Sequence, residues 1–319
     1  MISGARIVIT GGAGFIASHI IDRLVKDNTI VVYDSMKRNA LQYSASRGHK
    51  NLTVVQGDVL DAPSLDKVLE GADICVHAAA IAGIYSVGDS LTRTMKVNLI
   101  GAYNALESTV KHKVGRFIDF STSEIYGPYS YRSTEQDVAK VGPASEKRWI
   151  YAISKLAGEH FAHAYGSDFG LKVTTVRPFN VYGPRQVGEG AVQQMVSRAL
   201  KDTDITVFND GSQIRSWCFV DDFADAFVSA MHMESAVGQV FNIGNPQATT
   251  TVLGLAQTLI RLTGSKSKIV FKPHPGPEVE IRMPDIAHAR SLLKYEPGVG
   301  LEDGLNRAIA WYKETGFTG

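Results

Sequence analysis

Apolar runs alternate with helical patterns along the first half of the chain. Ile7-Val8-Ile9, Ile30-Val31-Val32-Tyr33, Leu52 to Val59, Ala72 to His77, Arg116 to Phe120 and Lys172 to Arg177 read as six strands. Runs rich in β-branched residues suit strands buried on both faces, and strands separated by helical patterns predict a doubly wound parallel sheet in an α/β fold. Two longer segments, about residues 90–112 and 149–168, carry apolar stripes at helical spacing and predict long helices. After Arg177 the elements shorten and Pro and Gly increase, as in Pro273-His274-Pro275-Gly276-Pro277, with helices expected near Phe223 to Met233, Val252 to Leu262 and Leu301 to Tyr312. The pattern therefore predicts a sheet domain over residues 1–178 and a smaller α/β lobe over 179–319, partly interleaved with it.

The first run breaks into Gly11-Gly12-Ala13-Gly14, and Phe15-Ile16 then resume with helical periodicity. Glycines let a strand turn at once into a helix. The unpaired N–H groups and positive dipole end of that helix suit a pyrophosphate, which Gly11 and Gly14 would allow close to the backbone. Ala17 takes the position where a third small residue packs helix against strand. Asp34 ends the second run about 20 residues on, where a carboxylate can take the ribose hydroxyls of an adenosine and repel a 2′-phosphate. The loop and Asp34 together predict a Rossmann sheet binding NAD rather than NADP, a preference on which the nearby cations Lys37 and Arg38 also bear. Asp58 and Val59 would lie near the adenine, and Ala78 and Ala79, after His77, beside the middle of the cofactor. His77 alone is as readily a packed structural histidine.

Length and composition narrow the class. The chain has 319 residues, 44% of them hydrophobic, and a net charge of +1, which favours no nucleic-acid or polyanion surface. Two cysteines make no disulfide framework, and no apolar stretch reaches the roughly 20 residues that span a bilayer. Met1 to Ile9 is too short for a secretory apolar core. A cytoplasmic protein is expected. His160 and His163 stand three apart with no carboxylate or cysteine pattern beside them, so no metal is expected.

Tyr151-Ala152-Ile153-Ser154-Lys155 begins the second long helical segment. A spacing of four puts both side chains on one face, about 6 Å apart along the axis. A neighbouring ammonium and a positive nicotinamide ring would favour phenolate, so Tyr151 would take a hydroxyl proton as hydride leaves the same carbon. Elsewhere such a pair is simply solvated on a helix surface.

The chain resembles the extended short-chain dehydrogenase/reductase superfamily, in its nucleotide-sugar epimerase, dehydratase and decarboxylase branch. The likeness runs from the Gly11 to Ala17 loop and Asp34 through Asp58-Val59, His77-Ala78-Ala79, Ser121 to Gly127, and Tyr151 with Lys155. It continues through Arg177-Pro178-Phe179-Asn180-Val181-Tyr182-Gly183-Pro184-Arg185 and Asp210 to Asp222. The resemblance implies that Thr122 hydrogen-bonds the reacting oxygen, that Asn98 and Lys155 order the proton path, and that Asn180, Arg185 and Arg215 hold the nucleotide diphosphate. It also implies a homodimer through the two long helices. At Thr122-Ser123-Glu124, similar 4,6-dehydratases carry Thr-Asp-Glu. Ser123 cannot act as their acid, although Glu124 remains as a base. Thr-Ser-Glu with Arg148 to Tyr151 and Arg282-Met283-Pro284-Asp285 resembles UDP-glucuronate decarboxylases, in which the Glu and the late Arg act near the C6 carboxylate. Arg282 is as readily a surface arginine bridging the lobes. The expectation is a UDP-sugar 4-epimerase acting through transient oxidation at C4. Decarboxylation of a UDP-uronate stands second, a ketosugar reductase or dehydratase further off, and a non-catalytic NAD-binding sensor or scaffold is the alternative of another class.

Overall fold

The computed structural model describes residues 2–274 and 276–317, so Met1 and the Pro275 of the predicted proline-rich run lie outside the described residues. In chain order the elements of the first half are β1 Arg6–Thr10, α1 Phe15–Leu24, β2 Thr29–Asp34, β3 Leu52–Gln56, α2 Ala62–Leu69, β4 Ile74–His77, α3 Ile84–Asp89, α4 Leu91–Met95, α5 Gly101–Lys111, β5 Arg116–Phe120, β6 Tyr129–Ser133, α6 Trp149–Phe169 and β7 Val173–Pro178. The second half contains β8 Val181–Tyr182, α7 Ala191–Leu200, β9 Ile205–Phe208, β10 Ile214–Ser216, β11 Cys218–Phe219, α8 Val220–His232, β12 Val240–Ile243, β13 Thr249–Thr251, α9 Val252–Thr263, β14 Ile269–Lys272, β15 Ile281–Pro284, α10 Ala287–Leu293 and α11 Leu301–Thr315.

Seven parallel strands form the main sheet in the order β12-β7-β5-β4-β1-β2-β3, as the six apolar runs predicted. Ile7, Val8, Ile9, Ile30, Val32, Cys75, Val76 and Ile118 are fully buried, because helices cover both faces. The order reverses between β1 and β4, which opens a crevice beyond the carboxyl ends of those strands.

The strand contents differ from a simple two-part division. The seventh strand, β12, comes from residues 240–243, and β6 leaves the first half to join β13, β10 and β15 in a four-stranded sheet. No single cut of the chain separates the two sheets. The first long helical pattern is also interrupted: α4 and α5 are joined through a π-helical segment, Lys96–Ile100, that turns Asn98 inward. Both cysteines are buried and unpaired. Among the described residues no helix is long and apolar enough to cross a membrane.

Candidate active site

The turn after β1 is pressed against the end of β4. Gly11 has φ +69°, and a Cβ there would fall 2.6 Å from the backbone of Ala79. Gly14 opens α1 without a capping side chain, and the first turn of α1 holds no acidic residue, so nothing on the helix competes for an anion at its N-terminus. Asp34 accepts from the N–H of Ala13 at 3.0 Å and of Met36 at 2.7 Å, which fixes its carboxylate beside the loop. Burial raises its pKa, and those two donors oppose the rise. Arg38 donates to Ala82 O at 3.1 Å and to Ser86 Oγ and Glu189 at 2.6 Å each. A 2′-phosphate would have to displace Glu189 to reach it. Loop, bare helix end and oriented acid all fit NAD. Asp58 is held by Arg93 at 2.8 Å, a partner that sequence reasoning missed.

Thr122 follows β5 and caps a short 3-10 turn, Ser123–Tyr126, accepting from Glu124 N at 3.1 Å. This turn packs on α6, which brings Tyr151 beside Thr122. Ser123 is buried. Lys155, one turn further along α6, is also buried. Asn98 is occupied as a brace: it accepts from Ile81 N at 2.7 Å and donates to Ile81 O at 3.1 Å and Ser154 Oγ at 3.0 Å. Its amide is therefore committed to the protein rather than turned to a cofactor.

The phenolate expected of Tyr151 is not what the protein's own side chains produce. Burial comes first and pushes the phenol up to about 12; the Thr122 hydroxyl opposes this, the Glu124 carboxylate adds to it, and Lys155 is not among the leading influences. Any drop toward neutrality therefore falls to the positive nicotinamide. His77 is neutral: burial and then Lys155 bring it down to about 3, and its Nδ1 pairs with Thr10 Oγ1 at 2.9 Å.

Arginines converge on Glu124. Arg282, on β15, forms an ion pair with it, and Arg148, just before α6, approaches to 3.4 Å. Arg215 of β10 lies in register with Arg282, so the two point to the same side of the small sheet. Burial works against the Glu124 charge, but Arg282, Arg148 and Arg215 outweigh it and hold the carboxyl at about 2. Arg215 is itself brought down to about 10, by burial first and then by Arg282. Three guanidiniums face Glu124 and, at Arg215, Glu278, so the cluster stays net positive. Arg282 is only 4% exposed, yet its Nε and Nη2 have no hydrogen-bond partner among the described residues. That edge is the side-on fork that takes a carboxylate bidentately. Arg282 is thus no surface arginine. In the sequence Arg148 carries no mark beyond the Arg148 to Tyr151 motif, and its place one turn before Tyr151 is the signal that points to it.

The remaining substrate expectations divide. Asn180, at φ +39°, donates to Ser216 O at 2.9 Å and so stays beside β10. Arg185 is not brought to this cluster: it is buried against α1, 2.8 Å from Asp22, with Ser18 O and His19 also in reach. It ties the second lobe to the sheet instead. His163 is half-buried against Thr175 at 3.3 Å, whereas His160 is exposed. No cluster of three or more His, Cys, Asp or Glu among the described residues is placed to hold a metal ion.

A family model described as the NAD dependent epimerase/dehydratase family matches residues 7–244. The chain belongs to this family. Within the epimerase/dehydratase family it is 33% identical to the UDP-N-acetyl-alpha-D-glucosaminuronate decarboxylase of Bacillus cytotoxicus, over 97% of this chain and 98% of that one. It superposes with a TM-score of 0.89 on the UDP-glucuronic acid 4-epimerase of Bacillus cereus solved with UDP-glucuronic acid and NAD, at 29% identity over 97% and 99% of the two chains. The TM-score is also 0.89 for the UDP-glucose 4-epimerase of Thermotoga maritima solved with UDP-glucose, at 30% identity over 98% and 100%. Family membership makes this an NAD-dependent enzyme fold whose relatives act on nucleotide-linked sugars.

Proposed function

We propose that this enzyme acts on a UDP-linked uronate and releases its C6 carboxylate as CO₂ from a 4-keto intermediate. The carrying observation is the buried Arg282 edge, Nε and Nη2, unpaired in a cluster of net positive charge. This reading reverses the order that the sequence suggested, in which 4-epimerisation stood first.

NAD, when bound, would accept the hydride from C4 and later return it. Tyr151 would take the proton of the 4-hydroxyl, with Thr122 hydrogen-bonded to the same oxygen and Ser123 next to it in the buried turn. Once C4 is a ketone, the C6 carboxylate is β to a carbonyl. The C5–C6 bond then breaks, CO₂ departs, and its electron pair passes into the C4–C5 enolate. Tyr151, now a phenol again and held high by burial, donates to that enolate oxygen with Thr122. Arg282 would orient the departing carboxylate. Glu124 is ionised across the neutral range, so the proton that C5 takes up comes from solvent; Tyr151 then returns its proton to the C4 oxygen as hydride goes back to C4, and the like charge of Glu124 beside the C6 carboxylate favours its loss. Asn180 and Arg215 would meet the diphosphate.

A 4-epimerase of uronates is the second reading, favoured by the likeness to the UDP-glucuronic acid 4-epimerase of Bacillus cereus. Incubation with UDP-glucuronate separates the two: CO₂ release with a UDP-pentose product supports decarboxylation, and a UDP-uronate inverted at C4 with no CO₂ replaces it by epimerisation. Tyr151→Phe is expected to lower turnover by about 10²-fold or more while NAD stays bound. We also infer a homodimer through α5 and α6, whose outer faces expose Tyr103 and Phe161 with ring centroids 6.3 Å apart. Sedimentation as a monomer would remove it.

A further inference from the structure

Under the Tyr151–Lys155 pair lies a carboxylate with no part in the scheme above. Asp119, the fourth residue of β5, is 1% exposed. Its register neighbours are His77 on β4 and Thr175 on β7, and His77 in turn registers with Thr10 on β1. Registered neighbours in parallel strands point to the same face, so four polar side chains cross the sheet in one row. The face is the one covered by α6, since His163 of α6 meets Thr175 at 3.3 Å and Lys155 and Glu159 act on Asp119. Arg177, two residues after Thr175, comes from β7 and is 3.1 Å from Glu159.

Nearly every atom of this layer is satisfied. Thr10 pairs with His77 Nδ1, Thr175 with His163, and Glu159 with Arg177. Among the exceptions, on registered residues of adjacent strands, are His77 Nε2 and Asp119 Oδ2, both buried without a hydrogen-bond partner among the described residues. Lys155, also buried, forms no ion pair there either. An unsolvated, unpaired carboxylate costs several kcal/mol in a protein interior. No hydrogen bond or ion pair among the described residues joins Asp119 to Lys155, and the ammonium, buried under the same helix face, acts on the carboxylate through space.

We propose that Asp119 is a positioning residue of the reaction, whose carboxylate anchors the Lys155 ammonium from the sheet side, with neutral His77 alongside, so that the ammonium stays under the proton path of Tyr151. The proposal rests on the reading that Tyr151 and Lys155 move the C4 hydroxyl proton. The charges acting on the ammonium are Asp119 from β5 and Glu159 from α6, with neutral His77 from β4 alongside, while Arg177 from β7 acts on Asp119 and pairs with Glu159. Burial raises Asp119 to about 6 against the pull of Lys155, so it is ionised at neutral pH. Burial lowers Lys155, and Asp119 and then Glu159 oppose that. The anchor is present above about pH 6 and is lost as Asp119 takes up a proton below it.

The test uses the NAD-loaded protein carrying ε-¹³C-lysine, with the Lys155 resonance assigned by its loss in Lys155→Met. Asp119→Asn is expected to move the Lys155 titration midpoint down by about one pH unit or more, and an unmoved midpoint overturns the proposal. In turnover of UDP-glucuronate, the same variant should lower kcat with KM unchanged and shift the basic limb of the pH profile down in step. Its melting temperature should hold or rise, because burial costs the ionised Asp119 more than Lys155 returns to it. A fall in kcat with an unshifted profile and a lower melting temperature would mean a structural role only, and overturns it. Thr175→Val alters the same row without touching charge and should leave midpoint and profile in place; a matching shift there overturns it as well. Full turnover in Tyr151→Phe would instead remove the underlying proton-transfer reading, while the lysine titration still decides the anchor.

Discussion

Arg282 gives one guanidinium nitrogen to Glu124 and leaves its fork edge unpaired in a buried position. Arg282→Lys keeps the charge and removes the planar fork, so KM for UDP-glucuronate should rise about 10–100-fold with a smaller change in kcat. An unchanged KM would detach Arg282 from the carboxylate. Glu124 and Asp119 make opposite contributions to stability. The folded value of Glu124, about 2, lies below its unfolded value of about 4.3. Its stabilisation is therefore complete above that unfolded value and fades as pH falls toward 2. Urea unfolding should show Glu124→Gln weaker than wild type at pH 7, by on the order of 2–3 kcal/mol, with the gap closing below pH 4. Asp119 runs the other way: its folded value of about 6 exceeds the unfolded value of about 3.9, so its penalty is absent below pH 4 and full above 6. Asp119→Asn should gain stability over wild type at pH 7 and not at pH 4. Tyr151 and Lys155 were legible in the sequence because their types and spacing carry chemistry, whereas Thr122 and Glu124 stood out only through the family resemblance. Asp119 was not, since one acid in an apolar strand looks like a strand end until register sets it beside His77. Arg185 departs from its expected place, because its motif position says nothing about Asp22 on a helix far back in the chain.

At the scale of elements, the β1–α1 turn depends on what faces it. A methyl at Gly11 would need a positive φ and would strike Ala79 backbone at 2.6 Å. Gly11→Ala should therefore cost more than about 1 kcal/mol in thermal unfolding and loosen NAD, whereas an unchanged melting curve and NAD affinity would show the turn to be free. A second contact gathers three loops. Glu189 accepts from the N–H groups of Tyr85 at 2.7 Å and Ser86 at 2.9 Å at the start of α3, and it holds Arg38 after β2. Glu189→Ala should release α3 and raise the rate at which bound NAD is lost, as read by exchange against labelled NAD; an unaltered rate would leave this contact purely structural. Most strands and long helices were predictable because burial on two faces writes a continuous apolar run. The π-helical Lys96–Ile100 segment was not, because no periodicity marks it and the Asn98 contacts to Ile81 and Ser154 that accompany it are long-range.

At the scale of the whole molecule, the sheet order and the second lobe follow from the alternation of strands and helices, but the exchange of strands does not. β6 and β12 are short, and nothing in five or four residues says which sheet will take them. That exchange unites the two tasks of the protein. Arg282 reaches the site on β15, whose partner is β6, a strand that follows directly from the Thr122–Glu124 turn. β12 closes the open side of β7 and keeps Val176 and Ile243 dry. A fragment ending at residue 178 would thus present β7 as a bare edge and invite self-association. The seven-stranded sheet and the four-stranded sheet are stitched into each other along the chain. A graft that aims to trade one specificity for another must therefore carry both sheets across, and loop exchange alone will not move it.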